Sequence, residues 1–198
     1  MNEAFIEGRG IELRPVRTDE QKQAVLDTVN EAPQNHFITH TPFSPDELEA
    51  RAEDDSVMLF TVHEEGDDAV GFVMAGIEER DSRVELGAAI KEDAQGNGYG
   101  TRAVKELTNF VFERLPVQKV FGRRFGFNEP SARLLDKCGY SEETVIPNHR
   151  YSRGEMQDVA FAALYRDEWE NSPIYTEGES MEDSPEEKPM KDSQQIEV

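Results

Sequence analysis

Gly96, Gly98 and Gly100 fall within five residues of the stretch KEDAQGNGYGTRAV, residues 91–104. The segments on either side have different periods. RVELGAAI (83–90) alternates as a strand does, and TRAVKELTNFVFERL (101–115) carries apolar residues at helical spacing. Glycine reaches positive φ without a steric cost and lets other groups approach the backbone closely. A helix start leaves N–H groups free and carries roughly half a positive charge. A strand, a glycine loop and a helix start in that order can form an anion site that needs no basic side chain. A flexible turn is the plain alternative.

The rest of the chain reads as a mixture of strands and helices. ELRPV (12–16) is a first strand, followed by a helix in TDEQKQAVLDTVNEA with Thr18 or Asp19 as its cap. Residues 32–43 are loop-like. Ser44 and Pro45 open a second, short helix. VMLFTVHE and AVGFVMAGI are strands joined by a hairpin signal, and RVELGAAI follows them. After the glycine loop and its helix come a strand in VQKVFGRRFGF, a helix capped by Asn128 and stopped at Gly139, and a final antiparallel pair in SEETVIPNH and EMQDVAFAALY. The expected class is α+β, with a mostly antiparallel seven-stranded sheet and packed helices. Residues 1–169 form the expected domain. Residues 170–198 are polar, acidic and proline-containing, and are expected to be a disordered tail.

Charge narrows the partners. Asp and Glu number 42 against 21 Lys and Arg, a formal net of −21. Residues 171–198 hold eight acids and two lysines, so most of the excess lies in the domain. Such a surface repels nucleic acid and anionic lipid. With 14 Arg to 7 Lys, the composition is halophile-like. The single cysteine, Cys138, has no internal partner, which fits a reducing compartment. Neither a secretory leader nor an apolar run of spanning length is evident, so a cytoplasmic protein is expected. His36, His40, His63 and His149 have no metal-ligand spacing, and no metal is expected.

Three anion-binding templates apply to the glycine stretch. A P-loop needs Lys after its last glycine, and Thr101 stands there. A dinucleotide-binding G-x-G-x-x-A fits 98–103, but no strand runs straight into it and no acid follows the next strand to hold a ribose. The pattern Q-x-x-G-x-G fits 95–100. Here the chain resembles the GNAT superfamily of N-acetyltransferases. VELGAAIKEDAQGNGYGTRAVKEL is similar to that family's fourth strand, loop and third helix. NEPSARLLDKCGY resembles its second signature, and ELRPVRTDE its first strand and helix start. NEPS and the closing YRDEW are similar to the ribosomal-protein alanine N-acetyltransferase branch.

The resemblance implies a GNAT fold with helices on both faces of the sheet, and acetyl-CoA as co-substrate. Gln95, Gly96, Asn97, Gly98, Tyr99, Gly100 and Thr101 would line its pyrophosphate, and Arg102 and Lys105 could reach a CoA phosphate. Asn128 would contact the pantetheine arm, and as a plain alternative it is a helix cap. Ser131 would lie near the thiol. The backbone of Ala89 and Ile90 would face the acetyl carbonyl and the pantetheine amides. Many family members place a tyrosine acid where this chain has Leu135, and Tyr140 and Cys138 are expected to be packing residues.

One candidate comes from alternation. Glu85 is out of phase with Val84, Leu86 and Ala88 and shares a face with the small residues Gly87 and Ala89. It is the expected general base, with a solvent-facing glutamate as the alternative. Amines are protonated near neutrality, so a base is required. The expected function is direct acetyl transfer from acetyl-CoA to a primary amine, either a protein N-terminal α-amine or a small amine. The alternative is a CoA-binding regulatory domain without turnover. A monomer or a homodimer is expected.

Overall fold

The computed structural model describes residues 4–31, 44–64, 66, 68–78, 80, 82–172, 174 and 175. The expectations for the loop 32–43, with His36 and His40, and for residues 176–198 lie outside them. The strands are β1 (Ile6–Gly8), β2 (Ile11–Pro15), β3 (Val57–His63), β4 (Ala69–Glu78), β5 (Arg83–Ile90), β6 (Lys119–Phe125), β7 (Ser141–Ser152) and β8 (Glu155–Tyr165). The helices are α1 (Asp19–Glu31), α2 (Pro45–Ala52), α3 (Tyr99–Arg114), α4 (Glu129–Lys137) and α5 (Arg166–Trp169).

Among the described residues, one sheet carries all eight strands in the order β1-β2-β3-β4-β5-β6-β8-β7. This corrects the expected count of seven. The additional strand, β1, is three residues long and pairs with β2 as a tight hairpin. Arg9 (φ 53) and Gly10 (φ 70) turn that hairpin in the left-handed region. A three-residue strand is too short to show a period in sequence.

Every neighbouring pair is antiparallel except β5 and β6. Those two run parallel because α3 crosses between them, as a parallel connection requires. Ala103, Val104, Leu107 and Val111 of α3 are buried, a helical stripe against the sheet. They join Val73, Val84, Leu86, Val120 and Leu164 in the larger core. On the opposite face α1 and α2 pack Val25, Val29 and Leu48 against Leu59 and Phe72. The short α2 is held by its first residues. Ser44 caps Glu47 N–H, and the Glu47 carboxylate accepts the Ser44 N–H at 2.9 Å.

Packing continues beyond the boundary expected at Trp169. Trp169 stacks on Phe112 and donates its indole N–H to Asn109 Oδ1 at 2.8 Å. Ile174 is fully buried, and its carbonyl accepts from Asn109 Nδ2 at 2.8 Å and Arg9 Nη2 at 3.2 Å. Residues up to Tyr175 therefore belong to the folded body rather than to a disordered tail.

Candidate active site

The parallel pair positions the site. Register partners run from Arg83 opposite Lys119 to Leu86 opposite Gly122. Beyond that point β5 continues to Ile90 and β6 to Phe125 with no register partners between them. The sheet opens there as a wedge. Because the strands are parallel, their carboxyl ends lie on the same side, and each leads into a helix N-terminus, α3 after β5 and α4 after β6. Ligands of open α/β sheets bind at such ends. At the closed end of the wedge, a Cβ at Gly122 would meet Leu135 Cδ2 at 3.2 Å. Leu135 is 7% exposed, so the residue at the usual acid position is core.

The loop after β5 is shaped by its glycines. Gly96 (φ 83) and Gly98 (φ 81) both take left-handed backbone, and Gly98 is the N-cap of α3. A Cβ on either would meet nothing within 4 Å, so the space beside both is open. Gly100 differs. It is buried, and a Cβ there would press on Leu134 Cδ1 at 3.0 Å, so its smallness seats α4 against α3. The first intrahelical bond of α3 runs from Arg102 N–H to Gly98 O at 3.0 Å. The N–H groups of Tyr99, Gly100 and Thr101 precede it and have no carbonyl within the helix.

Side chains brace this loop from behind. Gln95 Nε2 donates to Ile90 O at 3.0 Å, closing the end of β5 onto the loop. Asn97 Nδ2 donates to Ala94 O at 3.1 Å. Tyr99 is buried and its hydroxyl donates to Glu64, whose carboxylate raises the phenol above its ordinary range. The Arg102 guanidinium donates to Arg9 O (3.1 Å), Gly10 O (3.3 Å) and Asn97 O (3.3 Å) and lies over the Tyr99 ring. Arg102 thus ties the loop to the β1–β2 turn.

On α4, Asn128 Oδ1 accepts the Ser131 N–H at 3.1 Å. The plain reading of Asn128 as a cap describes its oxygen. Cys138 is buried and contacts Thr101 O through Sγ at 3.6 Å, and burial pushes its thiol up to about 12. Tyr140 is also buried. Its hydroxyl bonds Thr108 Oγ1 at 2.7 Å, and burial raises it further.

Glu85 and Arg123 lie on the sheet face away from α3. They form a two-point ion pair, Arg123 Nε to Oε1 at 2.5 Å and Nη2 to Oε2 at 2.9 Å, with each side chain about 30% exposed. A cleft of about 260 Å³ lies here, floored by Phe121 and Phe161. Each carboxylate on its walls has a cation, with Glu78 held by Arg83, Glu143 by Lys119 and Glu85 by Arg123. Sequence reasoning did not bring Arg123 to Glu85. The signal was the alternation of Phe121, Arg123 and Phe125, and it needed the parallel register to become a contact. Among the described residues, no His, Cys, Asp and Glu side chains cluster to hold a metal ion, and no helix is long and apolar enough to cross a membrane.

Residues 11–141 match the family profile described as an acetyltransferase (GNAT) domain. The chain is 25% identical over 99 residues to the uncharacterized N-acetyltransferase p20 of Bacillus licheniformis, covering 50% of this chain and 54% of that one. It is 28% identical over 88 residues to YdaF of Bacillus subtilis, named as a ribosomal N-acetyltransferase, covering 44% and 48%. The chain thus spans about half the length of these curated relatives. Among solved structures it is similar to a GNAT-family acetyltransferase from Bacillus anthracis, with TM-score 0.70, 16% identity and coverage of 82% and 98%. It is likewise similar to spermidine N-acetyltransferase from Vibrio cholerae, solved with CoA and spermine, with TM-score 0.73, 20% identity and coverage of 81% and 98%. At such identities the structural likeness speaks for the fold. The profile covers most of the chain, and the protein belongs to the GNAT acetyltransferase family.

Proposed function

We propose that this protein transfers an acetyl group from acetyl-CoA to a primary amine by direct attack in a ternary complex. The observation that carries the reading is the opening between β5 and β6, which sits beside a glycine-shaped helix start. The free N–H groups from Gly96 to Thr101 hold the pyrophosphate, and the dipole of α3 favours its charge. The pantetheine arm runs into the wedge. Its carbonyls and amides meet the unpaired edge of β5 at Ala89 and Ile90 and the Nδ2 group of Asn128. An N–H of that edge serves as the oxyanion donor. Ser131 lies in the first turn of α4 beside the arm.

The acceptor comes from the other face, through the cleft at Glu85. Arg123 occupies one lone pair on each Glu85 oxygen, and a carboxylate has about four such sites. The remaining ones take a proton from the amine, directly or through a water. The amine nitrogen then attacks the acetyl carbon, the C–S bond breaks, and CoA leaves as a thiolate. A thiol with a pKa of roughly 8.5 is a tolerable leaving group near neutrality. This suits a site with Leu135 at the acid position.

The pairing of every wall carboxylate favours one acceptor class. A polyamine needs several carboxylates that lack a cation of their own. A cleft whose charges are already matched suits an acceptor with one ammonium and neutral peptide groups, as a protein N-terminus has. The test is thiol release from acetyl-CoA with peptides of varied first residue, and with polyamines, at 0.1 and 2 M KCl. Peptide-dependent release is expected. Normal CoA binding with no transfer to any amine would instead support a regulatory domain without turnover.

A further inference from the structure

Gly87 stands inside β5 without a backbone reason to be glycine. Its φ lies outside the left-handed region that Gly96 and Gly98 occupy. Glycine weakens a strand interior, and there it often marks a close approach by another backbone or by a ligand. Gly71 of β4 has the first cause, since a Cβ there would fall 2.3 Å from Ala89 O. At Gly87 a Cβ would meet only Met74, with Cγ at 3.2 Å and Sδ at 3.7 Å. Register defines the space above it. On one side Gly87 is opposite Met74 of β4. On the other it is the first residue of β5 beyond Leu86 and Gly122, the last partners of the parallel pair. Gly87 therefore has a side-chain wall towards β4 and the opening of the wedge towards β6. Along β5 its neighbours on this face are Glu85 and Ala89. Gly76, opposite Glu85, adds no side chain. Met74 is half-buried, and its retreat is blocked by the core beneath α1 and α2, where Leu59 is its partner on β3 and Phe72 precedes it on the same face.

We infer that Gly87 and Met74 form an acyl pocket sized for two carbons, in which Gly87 provides the room and Met74 closes it to longer chains. The inference rests on the transfer proposed above, in which the amine arrives at Glu85 and the oxyanion donor lies at Ala89 and Ile90. The acyl carbon then sits between them, over Gly87. Its methyl group takes the space that a Cβ would fill, and the Met74 side chain ends that space. A butyryl chain has to push Met74 into Leu59 and Phe72. Methionine is unbranched and yields to small changes, so the penalty grows with chain length rather than appearing at one step.

Calorimetric titration of the full chain with free CoA, acetyl-CoA and butyryl-CoA tests the pocket without requiring turnover. The unaltered protein should bind butyryl-CoA at least about 10-fold more weakly than acetyl-CoA, the cost of a methylene that finds no room. Met74→Ala should remove most of that difference. Gly87→Ala should act the other way, weakening acetyl-CoA relative to free CoA, which carries no acyl group. Val57→Ala is the control. It shortens a side chain packed on the same small core but one strand farther from β5, and should leave the difference unchanged. Each comparison is between ligands of one protein, so a general loss of stability cancels. If Met74→Ala does not fold, Gly87→Ala decides, because the only atoms it displaces belong to a flexible side chain. Equal affinity of the unaltered protein for the two acyl-CoAs would overturn the inference. So would a difference that survives Met74→Ala, one that Val57→Ala also removes, or a Gly87→Ala variant that binds acetyl-CoA and CoA in the original ratio. A clear preference for acetyl-CoA with no transfer to any amine would support the pocket and remove the transfer reading alone.

Discussion

At the scale of the residue, Glu85 is defined by its partner. The Arg123 fork fixes the plane of the carboxylate, so it cannot swing to meet an acceptor. The proposed base is therefore pre-aligned, and its alignment depends on a planar donor. Glu85→Gln should lower kcat by about 100-fold or more at neutral pH with an unchanged Kd for acetyl-CoA, the range expected for losing a general base. Arg123→Lys keeps the charge and loses the fork, and should lower kcat with little change in CoA affinity. Steady-state kinetics beside a calorimetric titration would check both. The rate profile of the proposed transfer by the unaltered protein should rise with pH and show no descending limb near pH 9–10. Leu135 has no proton to lose, and Tyr140 is sealed in the core with Thr108. A descending limb abolished by Tyr151→Phe would remove Leu135 from this account. Cys138 gives a second test. With burial pushing its thiol up to about 12, almost none of it is thiolate at pH 8. A disulfide reagent should leave the native protein unlabelled for hours and label one thiol per chain at once in denaturant. Rapid native labelling would contradict the burial of this side chain.

At the scale of the element, the loop from Gln95 to Gly100 sets the join between α3 and α4 and shapes the proposed cofactor site. Gly98 must hold a left-handed backbone, and it faces open space where the phosphates are proposed to sit. Gly98→Glu adds strain and a like charge, and should weaken acetyl-CoA binding roughly 100-fold, equivalent to about 2.7 kcal/mol. Gly98→Ala adds only the strain of a Cβ in that region and should cost less. Near-normal affinity of the Glu variant in calorimetry would take the loop out of the site. This loop was readable in sequence because its periods change abruptly on either side. The strand at 83–90 and the cap at Asn128 were readable for the same reason, each being bounded by a local signal. What was not readable was long-range. Arg123 reaches Glu85 only through the parallel register, and Glu64 meets Tyr99 across 35 residues. Arg166 is a comparable case. Its guanidinium donates to Phe112 O, Leu115 O and Val117 O at 2.7–2.8 Å, closing the end of α3 and the turn after it. In sequence it was only one arginine in YRDEW.

At the scale of the whole molecule, charge dominates. A formal −21 over 198 residues makes the compact state repel itself. Salt shortens the Debye length from about 10 Å at 0.1 M to about 3 Å at 1 M. We propose a halophilic protein on this basis, and its Tm should climb steeply between 0.1 and 2 M KCl. A flat melting temperature over that range would sink the proposal. The core itself was largely legible, since the apolar stripe of α3 and the alternation of β5 each point inward by period, and β3 and β4 are short apolar runs. The closing segment was not, because a lone Ile174 among polar neighbours has no period to reveal it. Its position has a consequence for how the chain is made. Synthesis runs from the N-terminus, and domains fold as units as they emerge. Arg9 and Asn109 are made early, and both wait for a carbonyl that arrives at residue 174. Until then the side of α3 that Trp169 and Ile174 cover is open to solvent, so a nascent chain has all eight strands before it has a sealed interior.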